Sequence, residues 1–365
     1  MNIAYYITSH GYGHGVRTCA ICNAFSPSVN IFLRTSLPER FFREEIARPF
    51  TYCPAAFDCG CIQSDGVTVD IPRTTRTYRE IADANASRLD GEVAWITRNS
   101  IDAVVSDITP FALEVAAKTG VPSIAATNFT WYDIYADYVG RVPDFAPYVE
   151  QIRRQYESAG LLLAMSPAND MRYFPRIKAV PPVGRTGRSR RPEICGRYGF
   201  SRSKRIALIY VGEFGIGNDF SGLSRFTDWK FLGLHSLPQA PSNYRMIDKA
   251  AFSYQDLTAS ANLVISKIGY GTVAECMLNG APLLYLPRPD FSEYPVLEKA
   301  VREWGNGYCL SKEAYIALDW EEVLDAVASR PRPQAVSSDG AKICAREIET
   351  FSAAFHSGHS AAKAV

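Results

Sequence analysis

The stretch Asn2-Ile3-Ala4-Tyr5-Tyr6-Ile7-Thr8-Ser9-His10-Gly11-Tyr12-Gly13-His14-Gly15 decides how the rest of the chain is read. Its first half is an uncharged, largely apolar run, the signature of a strand buried on both faces of a parallel sheet. Its second half is a turn with three glycines and two histidines, after which Val16 to Phe25 reads as a helix. Parallel-sheet proteins place their chemistry on the loops at the carboxyl ends of strands. Gly11, Gly13 and Gly15 are therefore expected to permit a tight turn and the close approach of a ligand to a helix N-terminus. His10 and His14 would line the same mouth.

Working outward, Ser266-Lys267-Ile268-Gly269-Tyr270-Gly271-Thr272 repeats the strand, turn and helix order. Two such turns about 250 residues apart imply two half-sites facing each other across a cleft. Between them, apolar runs predict strands at 2–8, 29–35, 102–106, 122–127 and 161–165. Helices are predicted near 16–25, 76–99, 110–119 and 131–157, the last broken by Gly140 and Pro143. The distal half restarts with a buried strand at 205–211, followed by strands near 229–232, 243–247, 262–266 and 282–286. Its helices are predicted near 254–260, 271–279, 293–304, 319–329 and 339–355. This succession is α/β, with two Rossmann-like parallel-sheet domains.

The domain expectation is 1–183 for a first Rossmann-like domain, 184–204 for a basic linker, 205–338 for a second, ligand-binding domain, 339–355 for a helix packing back on the first domain, and 356–365 for a frayed tail. Proline and glycine punctuate the linker, and its arginines from Arg185 to Arg205, opposed by Glu193, are expected to keep it solvated or to touch an anionic acceptor or membrane surface.

Composition narrows the function classes. The 365 residues are 47% hydrophobic and 21% charged, with a formal charge of +1, which gives no global bias toward nucleic acid or an anionic membrane. No run approaches the roughly 18 apolar residues that span a bilayer, and the N-terminal strand is too short for a signal peptide. A cytoplasmic location is the simplest expectation. The nine cysteines lack the paired tight spacing of a zinc site and are expected to be reduced thiols, with no metal and no cofactor.

The chemistry-bearing residues fall at strand ends. Gly269, Gly271 and Thr272 at a helix start offer backbone N–H groups and a hydroxyl suited to phosphate oxygens. Lys267 adds a point charge, without the spacing of a Walker loop. Glu275, one turn on from Gly271, suits a pair of ribose hydroxyls. His14 reads equally as a general base, a metal ligand or a core histidine; Asp107, ending the strand at 102–106, is the carboxylate topologically placed to orient it. His10 suits a substrate hydrogen bond or a supporting role. No Asp-x-Asp occurs, so a metal-chelated diphosphate is not expected.

Taken together, these motifs resemble GT-B glycosyltransferases. The Gly11-Tyr12-Gly13-His14 turn is similar to the acceptor-side loop of the peptidoglycan N-acetylglucosaminyl transferase and of antibiotic glycosyltransferases. Val264 to Glu275, followed by Asn279-Gly280-Ala281-Pro282 and a strand ending at Pro287, is similar to their donor-side motif. The Tyr5-Tyr6 and His10-to-His14 opening, with Phe291, Glu293 and Tyr294, resembles the glycosyltransferase-like N-terminal region of L-arabinokinases; the resemblance stops before their kinase domain, so no kinase activity is expected.

The resemblance implies an inverting, metal-independent transferase in which His14 is the base and Asp107 orients it, with His10, Gly11 and Gly13 on the acceptor side. It implies donor contacts from Gly212, Gly215, Phe252, Lys267, Gly269, Gly271, Thr272, Glu275, Asp290 and Glu293. Acidic Asp290 and Glu293 stand where many relatives carry Asp-Gln or Gln-Gln, which leaves the donor sugar open. The implied partners are a nucleotide sugar and a small-molecule or lipid-linked acceptor. A nucleotide-sugar 2-epimerase and an inactive nucleotide-sugar-binding module share the same architecture.

Overall fold

In the computed structural model, which describes residues 1–211, 219–237 and 239–362, the uninterrupted apolar runs become the central strands of two sheets. The chain divides into two units. The first comprises Met1–Ile62, Val69–Gly184 and the segment from Ser338 on, and the second comprises Gln63–Thr68 and Arg185–Ser337.

The first unit runs β1 (Asn2–Ile7), α1 (Tyr12–Ala24), β2 (Asn30–Thr35), α2 (Glu39–Glu45), β3 (Thr51–Pro54), α3 (Ile71–Arg98), β4 (Ala103–Asp107), α4 (Pro110–Thr119), β5 (Ser123–Thr127), α5 (Trp131–Ala136), α6 (Ala146–Glu157), β6 (Leu161–Met165) and β7 (Ile177–Val180). Its seven-stranded sheet is parallel throughout, in the order β3-β2-β1-β4-β5-β6-β7. Strand order reverses at β1, so the loops after β1 and β4 open side by side, which is where such sheets hold ligands. The register pairs Ile7 with Asp107 and brings the histidine turn next to that carboxylate.

The second unit runs α7 (Arg191–Tyr198), β8 (Arg205–Tyr210), β9 (Trp229–Gly233), β10 (Tyr244–Met246), α8 (Tyr254–Ser260), β11 (Leu263–Lys267), α9 (Tyr270–Asn279), β12 (Leu283–Leu286), α10 (Tyr294–Trp304), β13 (Gly307–Cys309), α11 (Lys312–Ile316) and α12 (Glu321–Ser329). Its parallel sheet has the order β10-β9-β8-β11-β12-β13, with the reversal between β8 and β11. Val67, from the inserted segment 63–68, enters this unit's core beside Ile209, Leu286 and Trp320.

Several expectations need correction. Helix α3 starts at Ile71 rather than 76: Asp70 caps it by accepting from the Arg73 amide at 3.0 Å, and Pro72 sits in the first turn where its missing N–H costs nothing. Strands β3, β7 and β13 escaped the reading because they are short edge strands with largely exposed or half-buried side chains. The segment 184–204 is not a solvated linker. It contains α7, and Arg185, Arg190 and Arg191 are partly buried. The final helix, α13 (Gly340–Ala362), runs through most of the expected tail. It lies against α1 and β7, with Glu347 bound to Lys178 at 2.8 Å and Glu349 accepting from the Ser26 amide at 2.9 Å.

Candidate functional site

In the first unit, β1 ends at Ile7 and the chain turns through Gly11 into α1, which carries His14 and Arg17 on its first two turns. Gly11 is extended (φ 164°) rather than left-handed, so the tight-turn argument for these glycines does not hold. What Gly11 and Gly13 provide is bare backbone: a Cβ at either position would meet nothing within 4 Å. Gly15 differs, since a Cβ there would sit 2.6 Å from the Phe41 ring.

His14 is buried, and its Nδ1 lies 2.8 Å from Asp107 Oδ1. Arg17, one turn on, is also buried and binds Asp107 with both ends of its fork, Nε to Oδ2 at 2.7 Å and Nη2 to Oδ1 at 2.5 Å. Arg17 reaches further, to Asn128 Oδ1 at 2.5 Å and Thr127 Oγ1 at 3.1 Å. Burial alone would push the Asp107 carboxyl up. The Arg17 charge and hydrogen bonds, followed by His14, outweigh burial and hold it below the usual carboxylate range. Arg17 Nη2 also lies 3.0 Å from His14 Nδ1, but its donors have Asp107 and Thr127 as acceptors. We therefore assign the Nδ1 proton to the bond with Asp107, which leaves the lone pair on Nε2.

The backbone beside this pair is strained. Ile108, buried and β-branched, has φ 68°, a conformation costing on the order of 1–3 kcal/mol. Tyr156 donates its hydroxyl to the Ile108 carbonyl at 2.5 Å, and Ser106 donates to the Thr109 carbonyl at 2.7 Å.

Asp58, missed in the sequence, bridges the two loops. It accepts from Thr8 Oγ1 at 2.5 Å and Thr109 Oγ1 at 2.9 Å, flanking the histidine turn on one side and Asp107 on the other. Burial raises its carboxyl above the usual range, partly offset by these hydroxyls and by His14. Two residues on, Gly60 has φ 58°, and a Cβ there would lie 2.5 Å from His10. The Cys61 amide donates to His10 Nδ1 at 3.1 Å, so Nε2 is the protonated nitrogen of that ring. His10 also packs edge-on against Trp131, 5.3 Å between centroids.

In the second unit, β11 ends in Lys267 and α9 begins after Gly269, which is again extended (φ −169°). Helix α9 has no side-chain cap hydrogen bond and no acid in its first turn, a helix start of the kind that suits an anion. Thr272 lies in that first turn, and Gly271 precedes it. Lys267 Nζ lies 3.5 Å from Gln63 Oε1, and Arg288 Nη1 would lie 3.9 Å from a Cβ on Gly269. Glu293 faces Arg288 at 3.8 Å and both are buried; Asp290, two residues from Arg288, is half-buried.

Glu275 is not an open carboxylate. It is buried, and Arg185 Nε donates to its Oε1 at 2.6 Å. Asn279 joins them by donating to the Arg185 carbonyl at 3.0 Å and accepting from the Gly187 amide at 2.7 Å. Phe252 is buried and packs against Arg190 and Tyr198. Gly212 and Gly215 lie outside the described residues. Among the described residues no group of three or more metal-binding side chains occurs, and no helix is long and apolar enough to cross a membrane.

Two parallel sheets, each with its strand order reversing where a glycine-bearing helix start opens, match solved structures along the whole chain. Arabidopsis thaliana UGT89C1 complexed with UDP superimposes with a TM-score of 0.63 at 13% identity, covering 97% of this chain and 99% of that one. The glycotransferase of kitacinnamycin gives 0.62 at 14% identity, covering 99% and 98%. The fold is GT-B. The calicheamicin glycosyltransferase CalG4 shares the GT-B architecture with a TM-score of 0.56 at 15% identity, covering 100% of this chain and 97% of that one. In sequence, the chain is 29% identical over 335 residues to an L-arabinokinase of Arabidopsis thaliana, covering 90% of this chain and 32% of that protein. The chain thus spans about a third of that relative's length. No model of a known protein family matches it.

Proposed function

We propose that the protein is an inverting, metal-independent glycosyltransferase that moves a sugar from a nucleotide-diphosphate sugar to a hydroxyl or amine of a small-molecule or lipid-linked acceptor. The observation that carries this reading is the buried His14–Asp107 pair at the start of α1, with Arg17 holding the carboxylate ionised. In one displacement, the acceptor atom attacks the anomeric carbon and gives its proton to His14 Nε2. The bond from that carbon to the diphosphate breaks on the opposite face, and the nucleotide leaves with the electron pair. Asp107 stabilises the imidazolium that forms and keeps the ring in its working tautomer.

The donor belongs to the second unit in this scheme. The α9 amides, Thr272 and Lys267 receive the diphosphate, supplying fixed positive ends where charge develops. Glu275 receives the ribose while held by Arg185, and Asp290 and Glu293 read the sugar. The solved relatives whose names include UDP or a UDP-sugar support a nucleotide donor, without assigning the base here.

A thermal-shift screen of nucleotide sugars tests the reading, because a ligand that binds the folded state alone raises the midpoint by linkage. One or more donors should raise Tm with concentration, equally with and without EDTA. No shift with any donor would contradict the proposal, and a shift abolished by EDTA and restored by magnesium would contradict its metal independence.

A further inference from the structure

Asp107 is a heavily shared carboxylate. Its oxygens take Nε and Nη2 of Arg17 at 2.7 and 2.5 Å, the Thr18 hydroxyl at 3.3 Å and His14 Nδ1 at 2.8 Å. When His14 accepts a proton from the acceptor, a second buried cation forms beside a carboxylate that already faces a guanidinium. In a low-dielectric interior that state is costly unless a further negative charge stands near it.

Asp58 stands there. The register sets Ile7 opposite Asp107, and the Thr8 amide donates to the Asp107 carbonyl at 3.4 Å, so Thr8 and Thr109 leave the two strand ends as neighbours. Asp58 spans their hydroxyls, with Oδ1 on Thr8 and Oδ2 on Thr109. The direction of the first bond is fixed, because Thr8 Oγ1 accepts from the His10 amide at 3.3 Å and gives its own proton to Asp58. The Gly60 amide is a third donor. Three donors converging on one carboxyl suit its ionised form. Burial works against that charge, while the hydroxyls and His14 oppose burial, so the Asp58 charge and a His14 imidazolium each favour the other. Other titratable groups that face Asp58 stay neutral: burial pushes the Cys59 thiol up to about 12, and holds Tyr78, Tyr135 and Tyr156 well above the usual phenol range.

We infer that Asp58 is a positioning residue for the base: it clasps the loops beside His14 and Asp107 and supplies the negative charge against which the His14 imidazolium forms. This rests on the transferase reading of His14 and adds a second carboxylate to it. Asp58 touches neither reactant and takes no proton. The proton still passes from the acceptor to His14 Nε2 as the new bond to the anomeric carbon forms and the bond to the diphosphate breaks.

The test is nucleotide release from UDP-, GDP-, ADP- and dTDP-glucose, with water as the acceptor, measured against pH, and donor affinity by calorimetry alongside. Asp58→Asn keeps the shape and one accepting oxygen and removes the charge. It should bind donor as the wild type does and lower turnover about 10–100-fold. The acid limb of its turnover profile should move to lower pH by about one unit, because the imidazolium that idles the base forms less readily. Thr109→Val keeps the carboxyl but removes one donor, so it should move the limb the same way by less, and it carries the test if Asp58→Asn does not fold. In a His14→Ala background Asp58→Asn should lower release no further, since it acts through the imidazole. An acid limb that stays in place in the variants that fold, or an additive loss in the double variant, would make Asp58 a structural clasp alone and overturn the inference while leaving His14 as the base. No release from any of the four donors by the wild type would overturn the transferase reading and this inference together.

Discussion

Arg17 shows how one residue changes the reading of its neighbours. Arg17, one turn from His14, drew no reading in the sequence, since its partner Asp107 lies 90 residues away. The sequence paired His14 with Asp107, and the structure places them 2.8 Å apart. It could not show that the carboxylate is shared with a guanidinium. Arg17→Met should therefore destabilise the protein by about 3–5 kcal/mol, because Asp107 would be left buried without its strongest counter-charge; denaturant melts check this, and a loss below about 1 kcal/mol would mean that Asp107 is protonated instead. Glu275 was legible as a carboxylate one turn into α9, yet Arg185 was assigned to a solvated linker, and the two are in fact an ion pair. Glu275→Ala consequently removes more than a ribose contact, since it breaks the ion pair with the partly buried Arg185. Glu275→Gln is the cleaner probe: it should lower nucleotide affinity about 10-fold or more in calorimetry, with Arg185→Lys giving a smaller loss.

At the scale of elements, what holds the first-unit site is a set of short connections rather than the long helices. Helix α5 begins with a capping box, in which Asp133 accepts from the Thr130 amide at 2.7 Å and Thr130 Oγ1 from the Asp133 amide at 3.3 Å. Tyr173 adds a hydroxyl to Asp133 at 3.0 Å. Burial nonetheless pushes the Asp133 carboxyl up to about 6. The folded state therefore holds this proton more tightly than the unfolded chain. That contribution to stability is full below the ordinary carboxylate pKa near 3.9 and is lost as pH rises through about 6. Asp133→Asn should flatten the fall in Tm between about pH 4 and 6; an unchanged slope would place the titration elsewhere. Tyr156 links this helix to the strained strand end, donating to the Ile108 carbonyl and accepting from the Trp131 amide at 3.2 Å. Tyr156→Phe should cost about 1–3 kcal/mol and loosen Asp107. Neither tie was legible, because both depend on loops whose backbone conformation leaves no periodic signal. Asp58 was hidden for the same reason, lying between Cys59 and short strand β3 in a stretch read for its thiols.

For the whole molecule, the recurrence of strand, glycine turn and helix at β1 and β11 was enough to expect two parallel sheets, since such runs have few other stable arrangements. Register and strand order lay beyond it, and these put Asp107 beside the histidine turn. The proposed chemistry then rests on one imidazole whose Nδ1 is committed to a carboxylate and whose Nε2 is left to take a proton. The most direct test is nucleotide release in the presence of acceptor, measured for the wild type and for His14→Ala alongside donor affinity by calorimetry. His14→Ala should lower turnover by roughly 10²–10⁴-fold and leave donor affinity nearly unchanged, because the donor is assigned to the second unit. Turnover within threefold of the wild type in His14→Ala would contradict the assignment of the base, and with it the mechanism built on the pair.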